Sequence, residues 1–287
     1  MSCAIGYTGR IGDIMGYAIT NREEYLHNDK ITMFPQAYNS DTVSSQSAEV
    51  KIKKHNIGNS TLMDCLHSEE EIKAVFDVFV EHVEEASTMS KKRISMRNLT
   101  MFICAINIGL RGGDFCKLKW NNIFDKNWHF LIDPDFVPEK TSGRNKHVRL
   151  SWGMDFEIAL TNWLNWLNKY DHKQQLDEYI FTGSKESHDN ETGLSIGNAI
   201  QVRSWWRIME NARKEAGIRQ KIGTHGCRKT MVNRFIKLSD DKTEAIIQMQ
   251  SYLNHSSPRI TMGYACIERE SIHKTMDKMS LLDKFTK

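Results

Sequence analysis

The stretch SYLNHSSPRITMGY, residues 251–264, holds a histidine in a turn-like context and a tyrosine nine positions later. Two serines and Pro258 interrupt the preceding apolar run, so His255 is predicted at a helix end or in a loop. Pro258 suits the first turn of a new helix, and Tyr264 would follow about one to two turns later. A phenol is a poor nucleophile unless cationic neighbours and a base activate it. On these residues alone, a capping histidine and a packed tyrosine are the simpler interpretation.

The composition is that of an ordinary globular protein, with 287 residues, 40% of them hydrophobic and 26% charged. A net charge of +3 and a pI near 8.4 are compatible with a nucleic-acid partner. The six cysteines form no C-x-x-C pair and no metal-ligand spacing, which predicts no metal site and suits the reducing cytoplasm. No secretory signal begins the sequence, and the longest apolar run, residues 101–110, is too short to span a bilayer. We therefore expect a cytoplasmic protein without membrane contact.

The sequence divides into two regions that differ in how regularly their apolar residues recur. Residues 1–65 are poorly patterned and contain a polar tract at 39–47, whereas residues 66–287 carry regular apolar periodicity. Ser68 with Glu71 predicts a capping box at the start of a helix. A second helix is predicted to end at residues 109–113, where glycines permit a sharp turn.

The remaining periodicities predict a mainly α fold with a small antiparallel β-sheet, an α+β class. Residues 128–132 and 147–150 have the composition of short strands, with a polar, basic turn between them. Residues 184–193 are predicted as a loop. Further helices are predicted over residues 114–120, 155–168, 195–216, a segment through 236, 243–253 and an amphipathic tail at 272–282.

Basic residues cluster between positions 195 and 237, where only Glu210 and Glu215 oppose them. This local excess, interleaved with two tryptophans, is expected of a surface that follows phosphates. A solvated helix face is the alternative for several of these charges. The residues predicted to bind DNA are Arg203 and Arg207 in this cluster, and Arg144 and Lys146 in the basic turn.

Three further positions combine a suitable side chain with a suitable context. Arg111 lies in the glycine-rich turn, and His225 and Arg228 are separated by two residues near a predicted helix start. Arginine grips phosphate oxygens with a planar fork. Together with His255, Tyr264 and a lysine in the basic turn they form a coherent set for phosphoryl transfer, in which the protein's own cations would stabilise charge.

Three sequence boxes resemble those of the tyrosine recombinases, the lambda-integrase family. Residues 108–115, IGLRGGDF, resemble the first arginine box, and residues 225–228, HGCR, resemble the H-x-x-R box. Residues 253–255, LNH, with Tyr264 nine positions after the histidine, resemble the third box and the nucleophile. The boxes come in family order, and the resemblance covers roughly residues 66–267. It implies the family's catalytic domain, which is mainly helical with a small sheet.

The resemblance also implies a role for each residue. Tyr264 would attack the scissile phosphate of double-stranded DNA and form a 3′-phosphotyrosyl link. Arg111 and Arg228 would hold the non-bridging oxygens. His225 would accept the tyrosine proton or stabilise charge, and His255 would hydrogen-bond the phosphate.

A lysine in the basic turn would protonate the leaving 5′-oxygen. Lys140 is the first candidate for this role and Lys146 is its rival. Since the reaction exchanges one phosphodiester for another, the resemblance implies no ATP, metal or other cofactor.

Departures from the family pattern remove no proposed catalytic side chain. Asp114 stands where glutamate is usual, Cys227 and Lys229 replace a leucine and a histidine, and Asn254 replaces a glycine. We therefore expect an active integrase of a phage or mobile element, with a non-catalytic DNA-binding relic as the alternative. Residues 1–65 lack the amphipathic helices of the family's core-binding domain and are interpreted as a degenerate, truncated or differently folded version of it.

The tail carries an apolar stripe formed by Ile272, Met276, Met279 and Leu282. The resemblance implies that such a tail docks on a neighbouring protomer and supports a homotetramer on DNA. Packing of the tail on its own domain is the equal alternative.

Overall fold

The computed structural model describes residues 63–139, 147–188 and 195–264. Within these ranges helices predominate, and the strands are short. The N-terminal segment before residue 63, the basic turn at 140–146 and the tail lie outside the described residues. The helices are α1 (Glu69–Glu84), α2 (Met89–Ile108), α3 (Gly112–Cys116), α4 (Met154–Tyr170), α5 (Val202–Glu215), α6 (Gly223–Leu238), α7 (Lys242–Tyr252) and α8 (Pro258–Tyr264), and the strands are β1 (Asp135–Phe136), β2 (Val148–Arg149), β3 (Thr182–His188) and β4 (Ser195–Ala199).

Helix α1 begins at the predicted cap. The Ser68 side chain accepts a hydrogen bond from the Glu71 backbone N–H at 3.2 Å. The other half of the predicted capping box is wrong, because the Glu71 carboxylate accepts from the His67 backbone N–H at 2.7 Å instead of from Ser68. Glu71 therefore binds the backbone of His67, the residue before the N-cap Ser68.

Helix α2 lies at the centre of the described fold and packs against α1, α4 and α6. Met101, Cys104 and Ile108 on this helix are fully buried. Burying a large apolar side chain stabilises a fold by roughly 1.5–3 kcal/mol, so this surface is a main source of stability. Buried Arg97 also donates from Nη1 to the Thr182 carbonyl at 2.7 Å, which ties α2 to β3.

Gly109 ends α2 in the left-handed conformation, with φ of 61°. A Cβ at this position would also lie 3.1 Å from the Met231 sulfur. Glycine is therefore required twice, by the backbone and by the approach of α6. The reversal that it permits brings Arg111 to the start of α3, as the glycine-rich sequence predicts.

The first sheet pairs β1 with β2 in antiparallel register, Asp135 opposite Arg149 and Phe136 opposite Val148. The predicted strand at residues 128–132 is wrong. Trp128 has a positive φ of 63°, and Phe130 makes only an isolated bridge to Phe124. The aromatic residues that suggested a strand pack on one another instead, with ring centroids 4.3 Å apart for Phe124 and Phe130.

The second sheet contradicts two predictions. Residues predicted as a loop form β3, and the first residues of the predicted helix at 195–216 form its partner β4, so that α5 begins only at Val202. A polar hairpin is held by its backbone hydrogen bonds and therefore lacks the apolar alternation by which strands are recognised. Gly197 fits the pairing closely, since a Cβ there would lie 2.6 Å from the Thr182 side chain.

The fold class is confirmed as mainly helical with small antiparallel sheets, two within the described residues rather than one. Among the helices that the structure describes, none combines the length and apolarity needed to cross a bilayer.

Candidate active site

Tyr264 is the last residue of α8, a seven-residue helix that begins at Pro258 as predicted. Asn254 has a positive φ of 53° and makes the turn between α7 and α8. The partly buried Tyr264 ring packs against a buried cluster that includes Val232 of α6 and Leu253. Packing on this cluster fixes the position of the phenol relative to α6.

Helix α6 carries His225 and Arg228, which are three residues apart and therefore lie on one face of the helix. The His225 ring meets the Tyr264 ring edge-on, with centroids 5.1 Å apart. The Arg228 guanidinium carbon lies 5.8 Å from the Tyr264 centroid. The two members of this sequence box thus reach the same tyrosine.

Arg228 is only 4% exposed and is held by three acceptors. Its Nη1 donates to the Gly109 carbonyl at 2.8 Å, and its Nη2 donates to the Leu253 carbonyl at 3.3 Å and to His255 Nε2 at 3.2 Å. Its buried Nε has no hydrogen-bond partner. Since buried donors are normally satisfied, this open N–H and the uncompensated charge indicate a place for an anion.

His255 comes directly after the left-handed residue and faces the same ring. The His255 and Tyr264 centroids are 4.8 Å apart. Lys229 adds a second cation from α6, with Nζ 5.9 Å from the Tyr264 centroid, and this ammonium also donates to the Met63 carbonyl at 2.6 Å. Two imidazoles, one guanidinium and one ammonium therefore surround the phenol.

Arg111 joins the site from the start of α3. Gly112, beside it, packs so closely on α6 that a Cβ would lie 3.0 Å from the Thr224 hydroxyl. A small pocket is lined by both Arg111 and Arg228, together with Tyr252. The pocket thus brings the two predicted phosphate-binding arginines to one concave surface.

Burial and the arginines make both histidines weak bases. Burial, then the charge of Arg228, lowers the pKa of His225. Burial lowers the pKa of His255 to about 4, with the charges of Arg228, Arg111 and His225 adding to the effect. At neutral pH both imidazoles are neutral and able to accept a proton.

Arg228 itself is affected by its surroundings. Burial, followed by repulsion from Arg111, lowers its pKa from the usual arginine value. An arginine nonetheless keeps its charge at neutral pH. A bound phosphate would therefore relieve the repulsion between the Arg228 and Arg111 guanidinium groups.

Comparison with known proteins supplies the family. The model of the phage integrase family matches residues 77–270, more than half of the chain. The chain belongs to the phage integrase family. This confirms the resemblance that the three sequence boxes indicated.

Relatives and solved structures agree with this family. The chain is 27% identical over 175 residues to the probable integrase/recombinase YoeC of Bacillus subtilis (strain 168), covering 61% of this chain and 80% of that protein. It shares the fold of XerA recombinase with a TM-score of 0.52 and 17% identity, covering 76% of this chain and 66% of that one. It also resembles XerH site-specific recombinase bound to palindromic difH substrate, with a TM-score of 0.51, 18% identity and coverage of 79% and 55%. The chain thus spans less than two thirds of the length of these two solved chains.

A second tyrosine, Tyr252, lies near the site of this phage integrase family member. Within the described residues its hydroxyl, unlike that of Tyr264, is hydrogen-bonded to backbone carbonyls. The Tyr252 hydroxyl donates to the Ile108 carbonyl at 2.7 Å and lies 3.1 Å from the Ser151 carbonyl. Burial raises the pKa of Tyr252 to about 12. Its proton is therefore bound to the protein, which makes Tyr252 a structural residue and leaves Tyr264 as the candidate nucleophile.

Three residues near the site were not predicted, namely Lys229, Tyr252 and Thr261. Lys229 was visible as part of the basic cluster, but only the fold shows that it faces Tyr264. Thr261 is fully buried, and its hydroxyl lies 3.0 Å from His255 Nδ1. Its spacing of three from Tyr264 on a helix was the available signal.

The predicted DNA-binding residues divide into two groups. Arg203 and Arg207 are exposed on α5, one turn apart, with the 38% exposed Trp206 beside them. Arg144 and Lys146, like Lys140, lie outside the described residues.

Other charges of the basic cluster serve the fold. Buried Arg213 binds the Glu210 carboxylate at 2.9 Å and the Ile218 carbonyl, and Arg234 pairs with Glu69 at 2.9 Å. These two arginines therefore form ion pairs within the fold, whereas the alternative predicted from the sequence was a solvated helix face.

Asp64, Cys65 and His67 are the group of possible metal ligands in the part of the chain that the structure describes. His67 Nε2 lies 3.2 Å from an Asp64 oxygen, and His67 Nδ1 lies 3.6 Å from the Cys65 sulfur. The segment is also bound to α6, because the Leu66 N–H donates to the Thr230 hydroxyl at 2.9 Å. Hydrogen bonding at both ring nitrogens explains the cluster as an anchor for this segment on α6.

Proposed function

We propose that this chain is a site-specific DNA recombinase that cleaves and rejoins DNA through Tyr264. The Tyr264 oxygen attacks the scissile phosphate, a 3′-phosphotyrosyl bond forms, and the bond to the 5′-oxygen breaks. The phenol proton passes to a base, and the 5′-oxygen receives a proton from an acid. Attack by a 5′-hydroxyl on the phosphotyrosyl bond then rejoins the strand and frees the tyrosine.

The observation that carries this proposal is the set of groups around Tyr264. One arginine, one lysine and two neutral histidines surround its ring, and the arginine has a buried N–H without a partner. Arg228 and Arg111 would hold the non-bridging oxygens and stabilise the charge that develops on them. His225 would accept the phenol proton, and His255 would contact the phosphate.

The acid of the reaction is proposed to be Lys140, with Lys146 as the alternative. The backbone N–H of Glu139, directly before Lys140, donates to Asp114 of α3, and the Glu139 carboxylate accepts from Lys117, which follows α3. These contacts fix the position of Glu139, the residue directly before the basic turn, and so support the assignment of the acid to this turn.

The proposed reaction uses no ATP, because the bond formed and the bond broken are both phosphodiesters. It uses no metal in this proposal, since the guanidinium groups supply the charge stabilisation that a metal would otherwise provide. A protein that acts on DNA works in the compartment that holds it, which supports the cytoplasmic location expected from the cysteines.

Family membership supports recombination over the alternative of a non-catalytic relic. The candidate catalytic side chains within the described residues support this choice, since none is replaced by a residue unable to do the proposed chemistry. Tyr252, the neighbouring phenol, is bound to backbone carbonyls. An integrase of a phage or mobile element is the biological role that we propose. Its partner would be double-stranded DNA at a specific site, and the tail would join protomers into a tetramer.

The test is covalent capture of the DNA. Duplexes would first be selected for binding to the Tyr264→Phe protein, so that the site is identified without any need for cleavage. The selected duplex would then be nicked near the cleavage position, so that the short 5′-hydroxyl fragment diffuses away and the protein–DNA link accumulates. The wild type should form a link that resists denaturation, and Tyr264→Phe should form none.

Tyr252→Phe is the matched control, because it removes the other phenol near the site and should still form the link. Bound DNA without any link in the wild type would favour the relic. A link that persists in Tyr264→Phe would overturn the assignment of the nucleophile.

A further inference from the structure

The Tyr252 hydroxyl joins two backbone segments that are distant from α7 in sequence. It donates to the Ile108 carbonyl at 2.7 Å and lies 3.1 Å from the Ser151 carbonyl, so its one proton is shared between two acceptors. Ile108 is the last residue of α2, and Ser151 comes two residues after the end of β2. The end of α7 is therefore bound both to the end of α2 and to the chain that leaves the first sheet.

The ends of α2 and α7 are also held together by the active-site arginine. The carbonyl of Gly109, directly after Ile108, accepts from Arg228 Nη1 at 2.8 Å. The carbonyl of Leu253, directly after Tyr252, accepts from Arg228 Nη2 at 3.3 Å. The tyrosine hydroxyl and the guanidinium thus bind neighbouring residues of the same two segments, and the position of one depends on the other.

The bond to Ser151 connects this arrangement to the hairpin of β1 and β2. The two strands pair in antiparallel register, and the Leu150 N–H extends the pairing by donating to the Pro134 carbonyl at 2.9 Å. The basic turn at 140–146 lies between these strands in the sequence. A contact that fixes the end of β2 therefore also fixes one side of the base of this turn.

The hairpin faces the arginines on both sides of the turn. Pro138, before the turn, and Val148, after it, line the small pocket that Arg111 and Tyr252 also line. The hairpin and the arginine-bearing segment thus form opposite parts of one concave surface. Their relative position decides where a group carried by the turn meets a phosphate held by the arginines.

Asp114 and Tyr252 bind the hairpin on opposite sides of the basic turn. Asp114 accepts from the Glu139 backbone N–H directly before the turn, and Tyr252 binds the Ser151 carbonyl after β2. We propose that Tyr252 is a positioning residue that fixes the hairpin of β1 and β2 against the end of α2, and so places the acid of the basic turn at the leaving 5′-oxygen. The inference rests on the proposed function.

The step that Tyr252 serves is the departure of the 5′-oxygen. As the bond from the Tyr264 oxygen to phosphorus forms, the bond to the 5′-oxygen breaks with its electron pair, and the acid in the turn gives this oxygen a proton. Tyr252 neither gives nor receives a proton, because its own proton stays with the two carbonyls. Loss of its hydroxyl should therefore slow cleavage without preventing the covalent link.

The first test measures the attachment of the hairpin without DNA, by amide hydrogen exchange of the full chain. Tyr252→Phe keeps the ring and removes the hydroxyl. It should raise the exchange rate of the Leu150 amide roughly two- to tenfold, the factor that corresponds to the usual net contribution of one hydrogen bond. The Ile200 amide, which donates to the Phe181 carbonyl at 2.9 Å beside the second sheet, is the internal control. An increase at Leu150 no larger than that at Ile200 would overturn the inference.

The second test is single-turnover cleavage of a normal duplex and of one in which sulfur replaces the leaving 5′-oxygen. Tyr252→Phe should cleave the normal duplex roughly tenfold more slowly, a part of the contribution of a general acid, and the sulfur duplex at nearly the wild-type rate. Tyr170→Phe, which removes a hydroxyl from a half-exposed ring at the end of α4, is the matched control and should equal the wild type on both. A Tyr252→Phe protein that is as fast as the wild type on the normal duplex, or equally slowed on both duplexes, would contradict the positioning role.

The two levels of proposal fail in different ways. If the wild type binds the selected duplex but forms no covalent link, the proposed function fails, while hydrogen exchange still decides whether Tyr252 holds the hairpin. If the link forms and depends on Tyr264 but the cleavage rate is indifferent to the Tyr252 hydroxyl, only the inference on Tyr252 fails.

Discussion

The Asp114 carboxylate accepts a hydrogen bond from the backbone N–H of Glu139 at 2.9 Å. Asp114 is 6% exposed and lies two residues into α3, three positions after Arg111. Lys117, which directly follows this short helix, pairs with the Glu139 side chain at 2.8 Å. The helix that follows Arg111, a candidate active-site arginine, therefore also holds the residue that precedes Lys140.

Asp114→Ala should slow cleavage by misplacing the proposed acid. We expect the loss to be a part of the roughly 10²–10⁴-fold that a general acid contributes. The measurement is single-turnover cleavage of a normal duplex and of one in which sulfur replaces the leaving 5′-oxygen. A sulfur leaving group needs no protonation, so the variant should cleave it at nearly the wild-type rate.

Lys117→Ala is the control for this prediction, because an exposed ion pair contributes little and its loss leaves the Asp114 hydrogen bond intact. If the sulfur substrate does not rescue Asp114→Ala, the residue acts on the site as a whole rather than through the acid.

Gly109→Ala should destabilise the protein by about 1–2 kcal/mol, because the left-handed backbone and the Met231 sulfur both oppose a Cβ. The same change displaces the carbonyl that accepts from Arg228 and should also reduce cleavage. Urea denaturation would measure the first effect. Gly113→Ala is the matched control, since a Cβ there meets nothing within 4 Å, and it should be neutral or slightly stabilising.

The low pKa of His255 predicts a pH-dependent stability. Folding lowers this pKa from 6.5 to about 4, so the unfolded chain binds the proton more readily between these values. The contribution of neutral His255 to the free energy of unfolding should therefore be fully present above pH 6.5 and should be lost as the pH decreases toward 4. Below pH 4 this group should cause no further change in the free energy of unfolding. Because the ring is only half-buried, we expect the loss to be on the order of 1 kcal/mol.

Urea denaturation at pH 7 and pH 5 would measure this effect. The difference between the two pH values should be smaller in His255→Asn than in the wild type. An equal difference in both proteins would show that other groups carry the pH dependence.

Arg203→Ala and Arg207→Ala should each weaken DNA binding and reduce the salt dependence of the binding constant by about one unit of slope. Both side chains are exposed on α5 and are free to reach phosphates. Fluorescence anisotropy at several salt concentrations would test this. Arg213→Ala on the same helix is the control and should instead lower stability, because it removes the buried ion pair with Glu210 and the hydrogen bond to the Ile218 carbonyl.

The sequence predicted the helices better than the sheets. Helix boundaries such as Ser68 and Gly109 depend on local backbone chemistry that a single residue reveals. The three boxes predicted that Arg228, His255 and Tyr264 would meet, and within the described residues they do. The strand predicted at residues 147–150 is found as β2. The hairpin of β3 and β4 escaped prediction because its pairing is made by backbone groups that side-chain patterns do not report.

Other features depend on tertiary contacts and were not predictable. Trp128 and Phe130 have strand-like side chains but pack as an aromatic cluster. Arg213 and Arg203 look alike in sequence, yet one is buried against a carboxylate and the other is exposed. The hydroxyl of Thr261 comes within 3.0 Å of His255 Nδ1 only because α8 folds back toward that residue.

The tail prediction concerns assembly. Deleting the residues after Ser271 removes the stripe of Ile272, Met276, Met279 and Leu282, which lies outside the described residues. If the stripe docks on a neighbouring protomer, the truncated protein should bind a single site almost normally but form far fewer paired-site complexes. Gel shifts with one-site and two-site duplexes would measure both. Replacing Ile272 and Met276 by serine in the full-length chain should reproduce the defect, whereas equal loss of single-site and paired-site binding would favour packing of the tail on its own domain.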